Sequence, residues 1–217
     1  MKTSAPLLGE PLPVELMNTI WADRDGVHDS LADPDDAVAW LVAVGSRIDV
    51  AIEDDLALAS DVDRARIARP LQRLRDALRR LAADATRDDR LAAASRTQDI
   101  EAAAAELNRA AAAAPRWSVI ELVDGATPQR VTRSTKPAAE AAISRIADAA
   151  IALFTGPERE SLRACHAPGC VLYFIKQHPR REWCSAACGN RARVARHYQR
   201  HSHDQLSRHG RARSQQP

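Results

Sequence analysis

Aromatic side chains are scarce in this 217-residue chain, at 4%, and its first 164 residues contain no cysteine. The second absence excludes a disulfide framework or a thiolate metal site from that whole stretch. No apolar run approaches the ~20 residues that a membrane-spanning helix needs. There is no glycine-rich phosphate loop and no G-x-S-x-G, which removes the common nucleotide-binding and serine-hydrolase readings. His28 is the sole histidine before residue 165, so a histidine-based catalytic centre there lacks partners. The acids Asp23, Asp25, Asp35 and Asp36 suit helix starts and need no metal to account for them. No enzyme is expected. The opening M-K-T-S-A-P-L-L-G-E-P-L-P is too short and too proline-broken for a secretory signal. A reducing, cytoplasmic, bacterial setting is therefore the expectation, with no membrane partner.

What is present is a sharp asymmetry of charge. The net charge is only +2, yet from Arg163 onward eleven Lys and Arg face two acids, Glu182 and Asp204. The remainder carries 20 basic and 27 acidic residues, and six of the seven histidines lie in the basic part. A basic C-terminal part on an acidic body implies an anionic partner for that part alone.

All four cysteines fall in the basic part, as Cys165/Cys170 and Cys184/Cys188, with thirteen residues between the pairs. Zinc takes four ligands in a tetrahedron and soft thiolates suit it. Pro168 and Gly169 supply a turn before Cys170. Cys184 and Cys188 are one helical turn apart, so both sulfurs face one side, and Ser185 is suited to cap that helix. Between the pairs, residues 171–175 (V-L-Y-F-I) read as a strand, 177–179 as its turn, and 180–183 as the return to the metal. That is the outline of a treble-clef-like finger around a structural Zn2+ held by Cys165, Cys170, Cys184 and Cys188. Two disulfides are the competing reading, disfavoured by the expected compartment. A complete four-cysteine set leaves no vacancy for His166. His197 and His201 have an H-x-x-x-H spacing without the glutamate of a zinc hydrolase, and on a basic helix they fit contact with phosphate or water better.

The run W-C-S-A-A-C-G-N-R-A-R resembles the signature of the CGNR zinc finger, the named residues being Cys188, Gly189, Asn190 and Arg191. The leading C-H-A-P-G-C and R-R-E-W-C-S match its layout, while the hairpin F-I-K-Q-H-P departs from it. In that family the finger closes a chain opened by an ABATE domain, and members are regarded as bacterial transcription regulators. The opening motif of that domain is matched by Leu16, Met17, Asn18 and Thr19. Asn18 and Thr19 either line a ligand pocket or bond local backbone and end the helix, as such residues readily do.

Elsewhere the chain reads as helical. Residues 13–21 form a first helix, with Val14, Met17 and Trp21 on one face. Asp33 caps the next, with Pro34 at its first position and Gly45 beyond its end. Another helix is expected from 46 to about 59. The longest pattern spans 61–83, with Ile67, Leu71, Leu74, Leu78 and Leu81 as its apolar stripe and Pro70 as a kink or break. Its arginines at 64, 66, 69, 73, 75, 79 and 80 read as a solvated face paired with nearby aspartates. Ser95 and Gln98 have capping-box spacing. Residues 116–123 and 127–133 form a hairpin around Asp124-Gly125, the one β element expected in the N-terminal domain. A helix follows Thr135, stops at Thr155-Gly156-Pro157, and a short helix through Arg163 delivers Cys165.

The expected fold is thus mainly α: a helical ABATE-like sensor or dimerisation domain (1–160) with one small β-hairpin, the zinc finger (161–203), and a basic disordered tail (204–217). The finger helix presents Arg191, Arg193, Arg196, His197 and Arg200, joined by Arg180 and Arg181, for phosphate or base contact. Gly189 and Asn190, beside the ligands, are expected to support the metal knuckle instead. The function implied is a DNA-binding transcription regulator, homodimeric because one finger reads little DNA, with a small-molecule effector for the N-terminal domain. The other reading is a zinc-stabilised module for RNA or protein.

Overall fold

The computed structural model describes residues 7–48, 60–125 and 127–213, with side chains described up to residue 200 other than that of Val123. Among the described residues there are six α-helices and three two-stranded antiparallel sheets. No helix among them is long and apolar enough to cross a membrane.

Helix α1 (Leu12–Met17) starts at prolines, whose missing N–H costs nothing in a first turn. Its Glu15 accepts from the Leu8 and Glu10 amides, at 3.0 and 2.8 Å, and so folds the lead back over the helix. The helix is shorter than its apolar spacing implied. Asn18 caps it, Thr19 Oγ1 donates to the Leu16 carbonyl (2.8 Å), and the chain turns extended. Trp21 therefore lies in strand β1 (Ile20–Ala22), opposite His28 of β2 (Val27–Asp29). The two rings stack 4.4 Å apart, and Trp21 Nε1 donates to Ser30. This second hairpin in the N-terminal domain corrects the expectation of one. Three-residue strands held by one ring pair leave little trace in local propensity.

Helix α2 (Pro34–Ala43) begins as the sequence indicated, with Asp33 accepting from the Asp35 amide at 2.9 Å. A short 3₁₀ turn (Gly45–Arg47) follows, and the remainder of the helix expected to 59 lies outside the described residues. Helix α3 (Asp61–Thr86) is capped by Ser60 and passes through Pro70 unbroken. Its buried side holds Leu71, Leu74 and Leu78, and also Arg75 and Arg79, only 0% and 1% exposed. Those two overturn the reading of all its arginines as a solvated face. They lie in phase with the leucines at i, i+3 and i+4, and each finds partners inside.

Helix α4 (Ile100–Ala112) starts later than the Ser95 spacing indicated. Asp99 is its cap (2.7 Å to the Ala102 amide), while Ser95 donates to the Asp76 carbonyl. Strands β3 (Arg116–Val123) and β4 (Thr127–Ser134) form the expected hairpin, with Val123 paired to Thr127 as its last pair. Asp124 and Gly125 both have positive φ, the conformation for which glycine is best suited. Helix α5 (Ala138–Thr155) buries Ala142, Ile143, Ile146, Ala150 and Leu153. It ends at Gly156, where a Cβ would stand 2.7 Å from the Ala152 carbonyl oxygen.

The expected short helix through Arg163 is a 3₁₀ turn (Pro157–Ser161) and then strand β5 (Leu162–Ala164). It pairs with β6 (Tyr173–Ile175), so residues 180–183 are not the return strand. The first cysteine pair sits in the connection between β5 and β6. Strand β6 alternates its faces: Tyr173 and Ile175 enter the main core with Leu16, Leu74 and Leu153, and Phe174 enters a second cluster with the four cysteines. Helix α6 (Ala186–Arg213) closes the chain, continuing through ten residues of the stretch expected to be a tail.

Candidate metal centre and nucleic-acid interface

The β5–β6 connection makes the first half of the metal site. Cys165 donates its amide to the Leu172 carbonyl (2.9 Å) and Cys170 to that of Ala167 (2.9 Å), with Gly169 at φ 72° in the turn. The first turn of α6 makes the second half. Ser185 Oγ accepts from the Cys188 amide (3.3 Å), and one turn brings the Cys184 and Cys188 sulfurs within 3.4 Å. All four thiols are buried, and their sulfurs lie within 4.8 Å of one another. The Cys170–Cys184 separation is 3.8 Å. That equals the edge of a tetrahedron with zinc–sulfur bonds of about 2.3 Å, which is about 3.8 Å.

The electrostatics of the donor set point the same way. Hydrogen bonds from the Cys170 and Cys184 thiols pull Cys165 down to about 2. The same crowding beside an ionised Cys165 pushes Cys170 up to about 12, and Cys184 is raised as well. One thiolate is easy and four are not, unless a dication sits among them. The four cysteines therefore fit a structural zinc ion, which would neutralise the set and tie the knuckle to α6.

Space is tight beside the ligands. A Cβ on Gly189 would stand 3.1 Å from the Trp183 ring. Arg191 donates to Cys188 Sγ at 3.0 Å, and that hydrogen bond raises its own pKa. Asn190 is exposed and accepts from Arg193. Arg181 turns inward: it donates to Glu10 and to the Ile175 and Cys184 carbonyls (both 3.0 Å), and lies over the Phe174 ring. Arg180, Arg193, Arg196, His197 and Arg200 are exposed. Of the basic set expected at the interface, Arg181 and the exposed Arg191 thus bond to the metal knuckle, and the other five are exposed without a bond to it.

Asn18 and Thr19 are fully buried. Thr19 bonds local backbone, but Asn18 reaches 155 residues along the chain. Its Oδ1 accepts from the Tyr173 amide (2.8 Å) and its Nδ2 donates to the Tyr173 carbonyl (2.9 Å), as a neighbouring strand would. Four further residues that sequence reasoning missed complete this seam. Glu10 accepts from the Ile175 amide (2.9 Å). Arg79 donates to the carbonyls of Met17 (2.9 Å), Ala93 (2.8 Å) and Val171 (3.3 Å). Arg90 donates to the Cys165 and Cys170 carbonyls, the latter at 2.6 Å, and is clamped by Asp88. Asp88 also accepts from the Tyr173 hydroxyl at 2.9 Å. Burial alone would raise the Asp88 pKa; Arg90 and the Tyr173 hydroxyl overcome it and hold the carboxyl below its usual range.

Comparison with known families meets this geometry. Residues 10–157 match the model of the ABATE family, described as "Putative stress-induced transcription regulator", and residues 161–201 match the CGNR zinc finger. The chain belongs to the ABATE family. Its CGNR finger carries the thiolate cluster on the β5–β6 connection and α6, and its ABATE domain supplies Glu10, Asn18, Arg79, Asp88 and Arg90 to the seam. No curated protein matches the chain.

Proposed function

We propose that this ABATE protein is a cytoplasmic, DNA-binding transcription regulator in which the zinc-held finger delivers α6 to the duplex. The observation that carries the reading is the division of the arginines. Arg181 and Arg191 have side-chain bonds into the metal site, whereas Arg193, Arg196 and Arg200 on α6, and Arg180 in the turn before it, are exposed with no carboxylate partner among the described side chains. Guanidinium groups in that setting bind phosphate or guanine edges bidentately. Asn190, at the start of the helix, is placed to support Arg193 rather than to read a base.

A homodimer fits the small footprint of one finger. The β3–β4 hairpin is the surface for it. Among the described residues it pairs with no third strand, and Trp117, Ile120 and Leu122 are exposed along it. Two-stranded ribbons are marginal alone, and an open apolar edge invites pairing. A second copy is the natural occupant, because a two-fold axis there doubles the number of reading helices.

The test is selection of zinc-loaded protein against random duplex DNA at near-physiological salt. An enriched motif, lost with Cys184→Ser, is expected. If about five cations neutralise phosphates, log K falls against log salt with a slope of roughly −4 to −5. Bulk, salt-sensitive binding with no enriched motif would favour the RNA- or protein-binding module instead.

A further inference from the structure

A cleft of about 260 Å³ opens between the β1–β2 hairpin, α3 and the segment at 92–96. It is built around charge. Arg75 is fully buried and fully matched: Asp29 takes both terminal nitrogens, one at 3.1 Å, and Asp76 takes Nε at 3.0 Å. Arg96 leans over the mouth, 3.8 Å from Asp29 and mostly exposed. Arg79 closes the back. Its terminal nitrogens bond only carbonyls, and its Nε is buried with no partner. His28 on the rim is paired with Asp23 at 2.7 Å. The cleft thus holds three guanidinium groups against two carboxylates and lacks one negative charge. Ile20, Val27, Ala92 and Ala94 supply the apolar part of its wall.

We infer that this cleft is an effector site for a small organic monoanion, an oxyanion on a compact apolar frame. The anion would sit between Arg96 and Arg79, supply the missing charge and give Arg79 Nε the acceptor it lacks. Buried guanidinium groups without a carboxylate are costly, and anion binding relieves that cost. The volume lies just below the range of drug-sized sites, which selects a small ligand. Arg79 also carries the consequence. The same guanidinium bonds the Val171 carbonyl, next to Cys170 in the zinc knuckle, so a ligand that draws on Arg79 changes the support under the finger. The effector role rests on the regulator reading; the binding does not.

The probes are benzoate, its neutral analogue benzamide, and inorganic phosphate, titrated calorimetrically into the zinc-loaded full chain. Benzoate is expected to bind and benzamide not, with Arg96→Ala weakening benzoate about tenfold. Arg96 is exposed, so that variant should keep its zinc and its melting temperature. Binding of phosphate alone would overturn the apolar frame. No benzoate binding at millimolar concentration, or binding indifferent to Arg96→Ala, would overturn the site. Benzoate that binds but leaves DNA affinity unchanged would overturn the effector role. A protein that never binds DNA, with or without benzoate, would sink the regulator reading while leaving the anion site intact.

Discussion

Helices α3 and α6 each contain seven arginines, and they use them in opposite ways. In α3, Arg75 and Arg79 are driven into the protein with Leu71, Leu74 and Leu78, and four aspartates accompany the seven cations. In α6 no leucine stripe accompanies the described arginines, one aspartate is present, and from residue 193 to 200 seven of eight residues are exposed. The fate of an arginine is set by the phase of its apolar neighbours and by the acceptors waiting opposite, not by its local density. Of the buried pair, Arg79 ties the finger to the body through the Val171 carbonyl and Arg75 braces the body itself through Asp29 and Asp76; the exposed set is left to meet something else.

Removing zinc should break that comparison most severely. Apparent binding free energies of structural zinc are on the order of 10 kcal/mol, and Tyr173 and Ile175 of the finger belong to the main core. Chelation, or Cys184→Ser, is therefore expected to lower the melting of the whole chain in one calorimetric transition. A body that melts at an unchanged temperature while the finger alone unfolds would show that the seam contributes little.

Next come the buried cations. Arg75→Met takes the buried partner from Asp76 and from the half-buried Asp29, which keeps only the more distant Arg96, and should cost about 3–5 kcal/mol in urea denaturation. Arg79→Met strips the Met17, Ala93 and Val171 carbonyls of a donor but also removes an uncompensated charge. A smaller loss, about 1–3 kcal/mol, is expected. Equal losses for the two would mean that carboxylate pairing is not what distinguishes them.

Much of this is legible in the sequence. The four thiols announce themselves by spacing, the helices at 34, 61 and 138 by caps, prolines and apolar stripes, and the β3–β4 hairpin by Asp124-Gly125. The β1–β2 pair is not, because its strands depend on Trp21 meeting His28. Ser95 and Gln98 had a capping pattern that tertiary structure overrode, since Asp76 offered Ser95 a carbonyl. Asn18 illustrates the limit. Its residue type suggests a local turn, and nothing near it in the chain says that Tyr173 will supply both of its partners. The burial of Arg75 and Arg79 was readable in principle from their position in the leucine phase. Which acceptors they meet was not.

The smallest expected effect on stability is the sharpest test of the outward arginines. Among the described residues Arg196 donates to the Ala192 carbonyl of its own helix, at 3.4 Å, and to no carboxylate, and it is exposed. Arg196→Ala should therefore change unfolding free energy by no more than about 0.5 kcal/mol, in line with surface substitutions away from special features. If the same residue meets a phosphate, the salt dependence of DNA binding should become shallower by about one unit of slope. Arg191→Ala offers the converse: it removes the hydrogen bond to Cys188 Sγ, so zinc affinity should fall, about tenfold or more, before any change in slope appears. Together the two variants separate cations that hold the metal from cations that face outward, on helical positions only five residues apart.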